Sequence, residues 1–169
     1  MKKAYLILIF LFIIFTISTS AAVPEATHVY RGIKFGMSVK QFHENLLADE
    51  KMELSVGIPE IEIDGTVYNI FALYDDDRLF EIYFESPNYI ANYYINKRIE
   101  ELSKLIEADY GAADEINEFE ISEVEDDIMW HKKWEQEDKI IEIGVGKFDT
   151  RNYVSLHMIY LPIYEELYE

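Results

Sequence analysis

The 169-residue chain has no cysteine, only seven glycines and four prolines, and 15 basic side chains against 33 acidic ones, a formal charge of −18. Without cysteine there is no disulfide, no thiolate nucleophile or metal ligand, and no thiol for lipid attachment, so packing alone must hold the fold. The shortage of lysine and arginine excludes nucleic acid and anionic membrane as natural partners, because such a charge repels both. It favours solubility, cations or a basic protein. What the chain does have is apolar bulk. Half of its residues are hydrophobic and 15% are aromatic, including 13 tyrosines, a composition that packs a core rather than one that stays disordered.

A long hydrophobic run occurs once, at the start. Lys2 and Lys3 precede an apolar stretch over residues 4–17 broken only by Thr16, and small residues at 18–22 follow. That order reads as a secretory signal cleaved after Ala21 or Ala22. The alternative, an uncleaved anchor, is disfavoured because the run falls short of the roughly 20 residues a spanning helix needs. Residues 23–169 are then expected to form one domain, exported to the periplasm or the medium. Loss of the two lysines leaves 13 basic side chains against 33 acidic, a formal −20, and no membrane attachment is expected after cleavage.

The strongest periodicity lies in residues 92–111. Ile95, Ile99, Leu102, Ile106 and Tyr110 form one helical stripe, widened by Leu105, with Lys97, Arg98, Glu100, Glu101, Lys104 and Glu107 opposite. Gly111 stands where a helix C-cap wants glycine. A first helix is expected from residue 39 to about 49, with Ser38 and Gln41 as a capping box and Val39, Phe42, Leu46 and Leu47 as its apolar face. His43, beside Phe42, reads as structural. Strands are expected near 29–35, 60–63, 66–74, 79–85, 116–121, 128–134, 139–147 and 153–160, with a further one near 52–56. Asp64-Gly65 makes a tight hairpin, and Asp75-Asp76-Asp77 makes a turn. Residues 163–169 can add a short terminal helix. The predicted class is α+β: two helices packed on one face of a mainly antiparallel sheet, in the order β-α-βββ-α-βββ. A single sheet and two α-βββ halves both fit.

Three places carry a resemblance. The Gly36-Met37-Ser38 helix start after a short strand resembles the opening of the β-lactamase-inhibitor-like fold, shared by small lipoproteins of outer-membrane protein assembly. Tyr110-Gly111 at the end of the second helix, and Trp134 ahead of Ile141 and Ile143, resemble features of other small secreted proteins. Where understood, such proteins bind other proteins rather than catalyse, so the resemblance implies an α+β fold and a binding role. It covers about a dozen positions and transfers no functional residue. The chain departs from the pattern in having no lipidation cysteine, no disulfide pair and no glycine-x-proline after the first helix.

Catalytic patterns are sparse. No G-x-S-x-G is present, and His28, His43, His131 and His157 fall in four separate elements without zinc spacing. Gly144-Val145-Gly146 lies in a strand with no helix after it, so close packing or a bulge explains it better than a phosphate cradle. Asp75-Asp76-Asp77 and Glu123-Glu125-Asp126-Asp127 are the densest acidic clusters. They invite a calcium reading, which turn chemistry and solvation answer without a metal, and no cofactor is expected. Trp130-His131-Lys132-Lys133-Trp134 stands out in so acidic a chain. Strand alternation puts Trp130, Lys132 and Trp134 on one face, and packing of both tryptophans under the second helix is preferred to a binding strip. Tyr89 and Tyr93 stand one helical turn apart, and Tyr160, Tyr164 and Tyr168 repeat that spacing if the tail is helical.

The expected function is therefore a non-enzymatic, exported protein-binding or inhibitor-type domain facing a basic protein. Its candidate contact residues are Asp75, Asp76, Asp77, Tyr89, Tyr93, Trp130 and Lys132. A calcium- or carbohydrate-binding accessory domain and a carboxylate-dependent hydrolase are the alternatives. The oligomeric state is left open.

Overall fold

The computed structural model describes residues 27–49, 52–55, 58–87, 91–125 and 127–168. The expected signal segment, Tyr89 and Asp126 lie outside the described residues. The protein is α+β, with helices against a sheet in which every recorded strand pair is antiparallel. A small hairpin, β1 (His28–Tyr30) and β2 (Ile33–Lys34), leads into α1 (Val39–Ala48). Four strands follow: β3 (Met52–Ser55), β4 (Ile58–Ile63), β5 (Thr66–Asp75) and β6 (Arg78–Glu85). Helix α2 (Asn92–Tyr110) leads to β7 (Glu115–Ile116), a single 3-10 turn (Ile121–Glu123), β8 (Met129–Glu135), β9 (Lys139–Phe148), β10 (Arg151–Tyr160) and α3 (Leu161–Tyr168). The eight strands from β3 onward form one sheet in the order β3-β4-β5-β6-β10-β9-β8-β7.

Period-two alternation decides what this sheet buries. Ile61, Tyr68, Ile70, Ile82, Phe84, Ile141, Ile143, Val145, Leu156 and Met158 enter one core cluster with Phe42 and Leu46 of α1 and Ile95, Ile99, Leu102 and Ile106 of α2. The α2 stripe is therefore buried as its spacing requires. Val39 and Leu47 depart from the expected α1 face and are 42% and 83% exposed, because a ten-residue helix seats only Phe42 and Leu46 in the core.

Local chemistry sets the element ends. The Gln41 backbone N–H donates to Ser38 Oγ at 3.2 Å, and the Ser38 N–H donates to Gln41 Oε1 at 2.8 Å, closing the capping box. Gly111 takes φ 81° and ψ −164°, a region essentially reserved for glycine, while its N–H donates to the Glu107 carbonyl. The Asp64-Gly65 turn has φ 47° and 74°, the paired positive values of a tight hairpin. The N-terminal hairpin is tied in by Phe35, stacked on Tyr160 at 5.3 Å, and by backbone bonds joining Gly36 and Met37 to Leu79.

Several expectations change. The single strand expected over 29–35 is a hairpin instead, because Arg31 and Gly32 take positive φ, 47° and 86°, and turn the chain back on itself. The strand foreseen over 116–121 is only two residues long, because the ladder between β7 and β8 fails where β8 bulges between Trp130 and Lys132. Beyond that point Asn117 takes over, its backbone N–H and side-chain amide donating to the carbonyls of His131 and Trp130. The same bulge reverses the side-chain alternation, so Trp130 does not share a face with Lys132 and Trp134. Trp134 is fully buried and donates its indole N–H to the Gly111 carbonyl at 3.0 Å. Trp130 projects on the opposite side of the sheet, across from Gly144.

Candidate functional site

The residues that alternate with the core line the other face of the sheet, and the strand register arranges them in rows. One row crosses five strands as Phe71, Tyr83, His157, Glu142 and Lys133. On one side of it run Asn69, Glu85, Ser155, Gly144 and Trp130; on the other, Leu73, Glu81, Ile159, Ile140 and Glu135. Unlike the core face, this one carries large apolar side chains in contact with solvent. Val67, Phe71 and Leu73 of β5 are 44%, 38% and 41% exposed.

His157 is the centre of this face. Its ring is nearly parallel to Tyr83, with centroids 4.1 Å apart, and Trp130 stacks at 5.2 Å. Nε2 lies 2.9 Å from Glu81 Oε1 and Nδ1 lies 3.3 Å from Glu142 Oε2, while the Tyr83 hydroxyl donates to the same Glu81 oxygen. The imidazole is 5% exposed. Burial pushes its pKa down more strongly than any other single influence, yet the bonds to Glu142 and Glu81 together outweigh it and hold the imidazolium above its ordinary value. Glu81 is held below the usual carboxylate range, chiefly by the bond from His157 and then by that from Tyr83, against the opposing effect of burial. The cluster thus favours the charged imidazolium between its carboxylates, with a ring on either side. Both ring nitrogens are engaged, so the imidazole offers no open lone pair for general-base work.

The glycine pair of β9 explains how large rings fit here. A Cβ on Gly144 would stand 2.6 Å from the Trp130 ring and 2.8 Å from the Met129 carbonyl, and one on Gly146 would strike the Tyr153 ring. Glycine at these positions lets both rings lie close to the sheet, as close packing predicts. His157 also occupies one face of the Tyr83 and Trp130 rings, which a sugar-stacking platform would need.

Of the seven residues expected to form a contact site, the six that are described do not come together, and Tyr89 lies outside the described residues. Asp75 pairs with Arg78 at 3.1 Å, and Asp77 accepts the Val39 amide at the start of α1 at 2.9 Å. Asp76 and Asp77 hold the β5–β6 turn with φ 45° and 62°, so this triplet carries turn and capping chemistry. Tyr93 is exposed at the start of α2, edge-on to Tyr94. Lys132 faces α2 and bonds Glu107 at 2.9 Å. Trp130 alone of the described candidates belongs to the open face, and it does so for the opposite of the expected reason. The sequence reading missed Phe71, Leu73, Tyr83, Glu85 and His157. Alternation in residues 79–85 already placed Tyr83 and Glu85 away from the core, and only strand order brings His157 beside them.

Among the described residues, no group of three or more His, Asp or Glu side chains is arranged to hold a metal ion, and no helix is long and apolar enough to cross a membrane. No family model matches the chain, and no curated protein or solved structure matches it.

Proposed function

We propose that this chain is an exported, non-enzymatic binding domain that receives a basic protein on the face of its sheet opposite α1 and α2. The observation that carries this reading is the exposure of Val67, Phe71 and Leu73 beside the Tyr83–His157–Trp130 stack. A contiguous apolar and aromatic patch is unfavourable in water, and such patches mark surfaces that a partner covers. Aromatic side chains there supply large contact area with little conformational freedom to lose. The formal charge of −18 complements a basic partner and speeds its encounter in a salt-dependent way.

The palindromic sheet order supports reading the domain as two α-ββββ halves, α1 with β3–β6 and α2 with β7–β10, joined where β6 pairs with β10. Tyr83 and His157 face each other across that junction, so the proposed surface sits at the seam. Residues 1–22 would supply the export signal, and the partner would be an envelope or extracellular protein.

The test uses tagged protein against an envelope fraction at low and high ionic strength, beside a Phe71→Asp/Leu73→Asp variant. The expected outcome is a basic protein held at low salt, released at high salt and lost with the variant, while the urea midpoint stays near the wild-type value. Failure to retain any envelope protein at low salt, or retention indifferent to the two substitutions, refutes the proposal.

A further inference from the structure

Strand β5 keeps one side of its second half unpaired. Asn69 pairs with Glu60 of β4 and with Glu85 of β6, but from Ile70 to Asp75 the register partners lie on β6 alone among the described residues. The ladder to β4 stops beside Pro59, which has no N–H to donate. Successive residues of a strand direct their N–H and C=O to opposite sides, so half of these groups between Ile70 and Leu73 face away from β6. Along this edge runs a groove of about 430 Å³, between the first turn of α1 and β5. Val39 and Phe42 of α1, Ile58 and Pro59 of β4, and Phe71 and Leu73 of β5 line it. Val39, Ile58, Phe71 and Leu73 are all exposed, so the site is apolar and open to solvent. At its far end the chain turns through Asp76 and Asp77, and Asp77 accepts the Val39 amide.

We infer that this groove receives an extended segment of the basic protein partner, which adds as a strand to the free edge of β5. The inference rests on the binding function proposed above and gives it a mode. An unpaired ladder side is completed best by another backbone in the β conformation, which supplies donors and acceptors at the matching repeat. The edge from Ile70 to Leu73 is about 13 Å long at roughly 3.3 Å per residue, and β3 already pairs with β4 over a ladder of that length, Met52–Ser55. Side chains of an added strand alternate between the two faces of the sheet. Those on one face enter the groove against Val39, Phe42 and Ile58, and those on the other lie beside Phe71 and Leu73 and cover them. The segment is therefore apolar on both faces at its centre. Charge selects its source. A second copy of this chain would bring another −18 to the same edge, whereas a foreign segment flanked by basic residues is attracted by that charge and by the acids of the β5–β6 turn.

The test selects phage-displayed random peptides on the whole protein and returns the dominant peptide as a synthetic, capped chain for NMR titration. The expected peptide has a run of apolar residues with lysine or arginine beside it, and it shifts the amides of Val39 and of Ile70 to Leu73 saturably. Methylating its backbone nitrogens at alternate positions separates strand addition from side-chain docking. One alternating set should weaken binding by about tenfold or more, the loss of at least one hydrogen bond, and the other set, whose nitrogens point away from β5, should not. Val39→Asp/Ile58→Asp puts charge into the groove at two exposed positions, the first of them at a helix start that tolerates an acid, and should weaken the peptide by about tenfold or more. No enriched peptide, equal effects of the two methylated sets, or binding unchanged in the double variant each overturns the strand site. A wild-type dimer in sedimentation equilibrium that Val39→Asp/Ile58→Asp dissociates gives the edge to a second copy and overturns it as well. Envelope capture separates this inference from the reading beneath it. Capture lost with Phe71→Asp/Leu73→Asp but kept by Val39→Asp/Ile58→Asp removes the strand site alone, and no capture at low salt removes the binding function.

Discussion

Replacing His157 by phenylalanine is the most informative single perturbation. The substitution keeps a ring between Tyr83 and Trp130 but removes the imidazolium from between Glu81 and Glu142, whose side chains are 12% and 14% exposed. Two nearly buried carboxylates then face each other without the cation that compensated them. Breaking a buried ion pair by deleting one partner costs roughly 3–5 kcal/mol, and the residual exposure of both carboxylates places this case near the lower end, about 3 kcal/mol. For a chain of this size that corresponds to a fall in Tm of roughly 6–12 °C. The pH dependence separates the charge from packing. His157 has a raised folded-state pKa, so its contribution is complete below the ordinary value of 6.5 and is lost as pH rises through the folded pKa. Glu81 has a lowered one, so its contribution is complete above the ordinary value of 4.5 and is lost as pH falls through the folded pKa. Lys133, next to Glu142 in the same row, pairs with Glu135 at 2.5 Å and stays charged throughout this range. Urea unfolding of wild type should thus show a stability plateau between about pH 4.5 and 6.5 with a decline on the alkaline side. In His157→Phe the alkaline decline should flatten. A variant within about 1 kcal/mol of wild type, with the alkaline slope intact, would refute the assignment of a compensated ion pair.

Three further outcomes follow from the packing. Gly144→Ala places a methyl against Trp130 and the Met129 carbonyl, and overpacking of this kind costs about 1–3 kcal/mol; denaturation measures the loss, and an unshifted Trp emission would contradict it. Asp77→Ala removes the acceptor for the Val39 amide and should cost about 1 kcal/mol in helix capping, read by urea denaturation, with no change in Tm on adding calcium to wild type. Lys139→Ala removes a buried ammonium that donates to the His28 carbonyl at 3.0 Å and the Tyr110 hydroxyl at 3.2 Å and lies over the Tyr110 ring. Its loss should cost about 2–4 kcal/mol and speed limited proteolysis ahead of β2; unchanged protease resistance would show that the hairpin is held by other contacts.

The local elements of this protein were legible in the residue order because local physics writes them. The 3.6-residue spacing from Ile95 to Ile106, the Ser38–Gln41 cap, the Asp64-Gly65 turn and the alternation in β9 each depend on residues a few positions apart. Gly144 and Gly146 were readable as packing glycines for the same reason, although not the rings they admit. Zero cysteines and the acidic excess are visible in composition alone.

What only the tertiary structure decided is the open face. One inserted residue in β8 turned Trp130 away from Trp134, and a bulge leaves no mark in the apolar pattern when its neighbours are lysine and histidine. His157 lies 74 positions from Tyr83 and 76 from Glu81, and only the pairing of β6 with β10 puts it in contact with them. Conversely, the adjacent acids Asp75 and Asp77 drew attention as a cluster, yet the turn gave them to Arg78 and to α1. Sequence by itself determined the helices, the long strands and the sign of the charge, which follow from short-range spacing and counting. Tertiary structure decided which side chains meet on the face opposite α1 and α2, because strand order and register are settled by long-range pairing that no local pattern encodes.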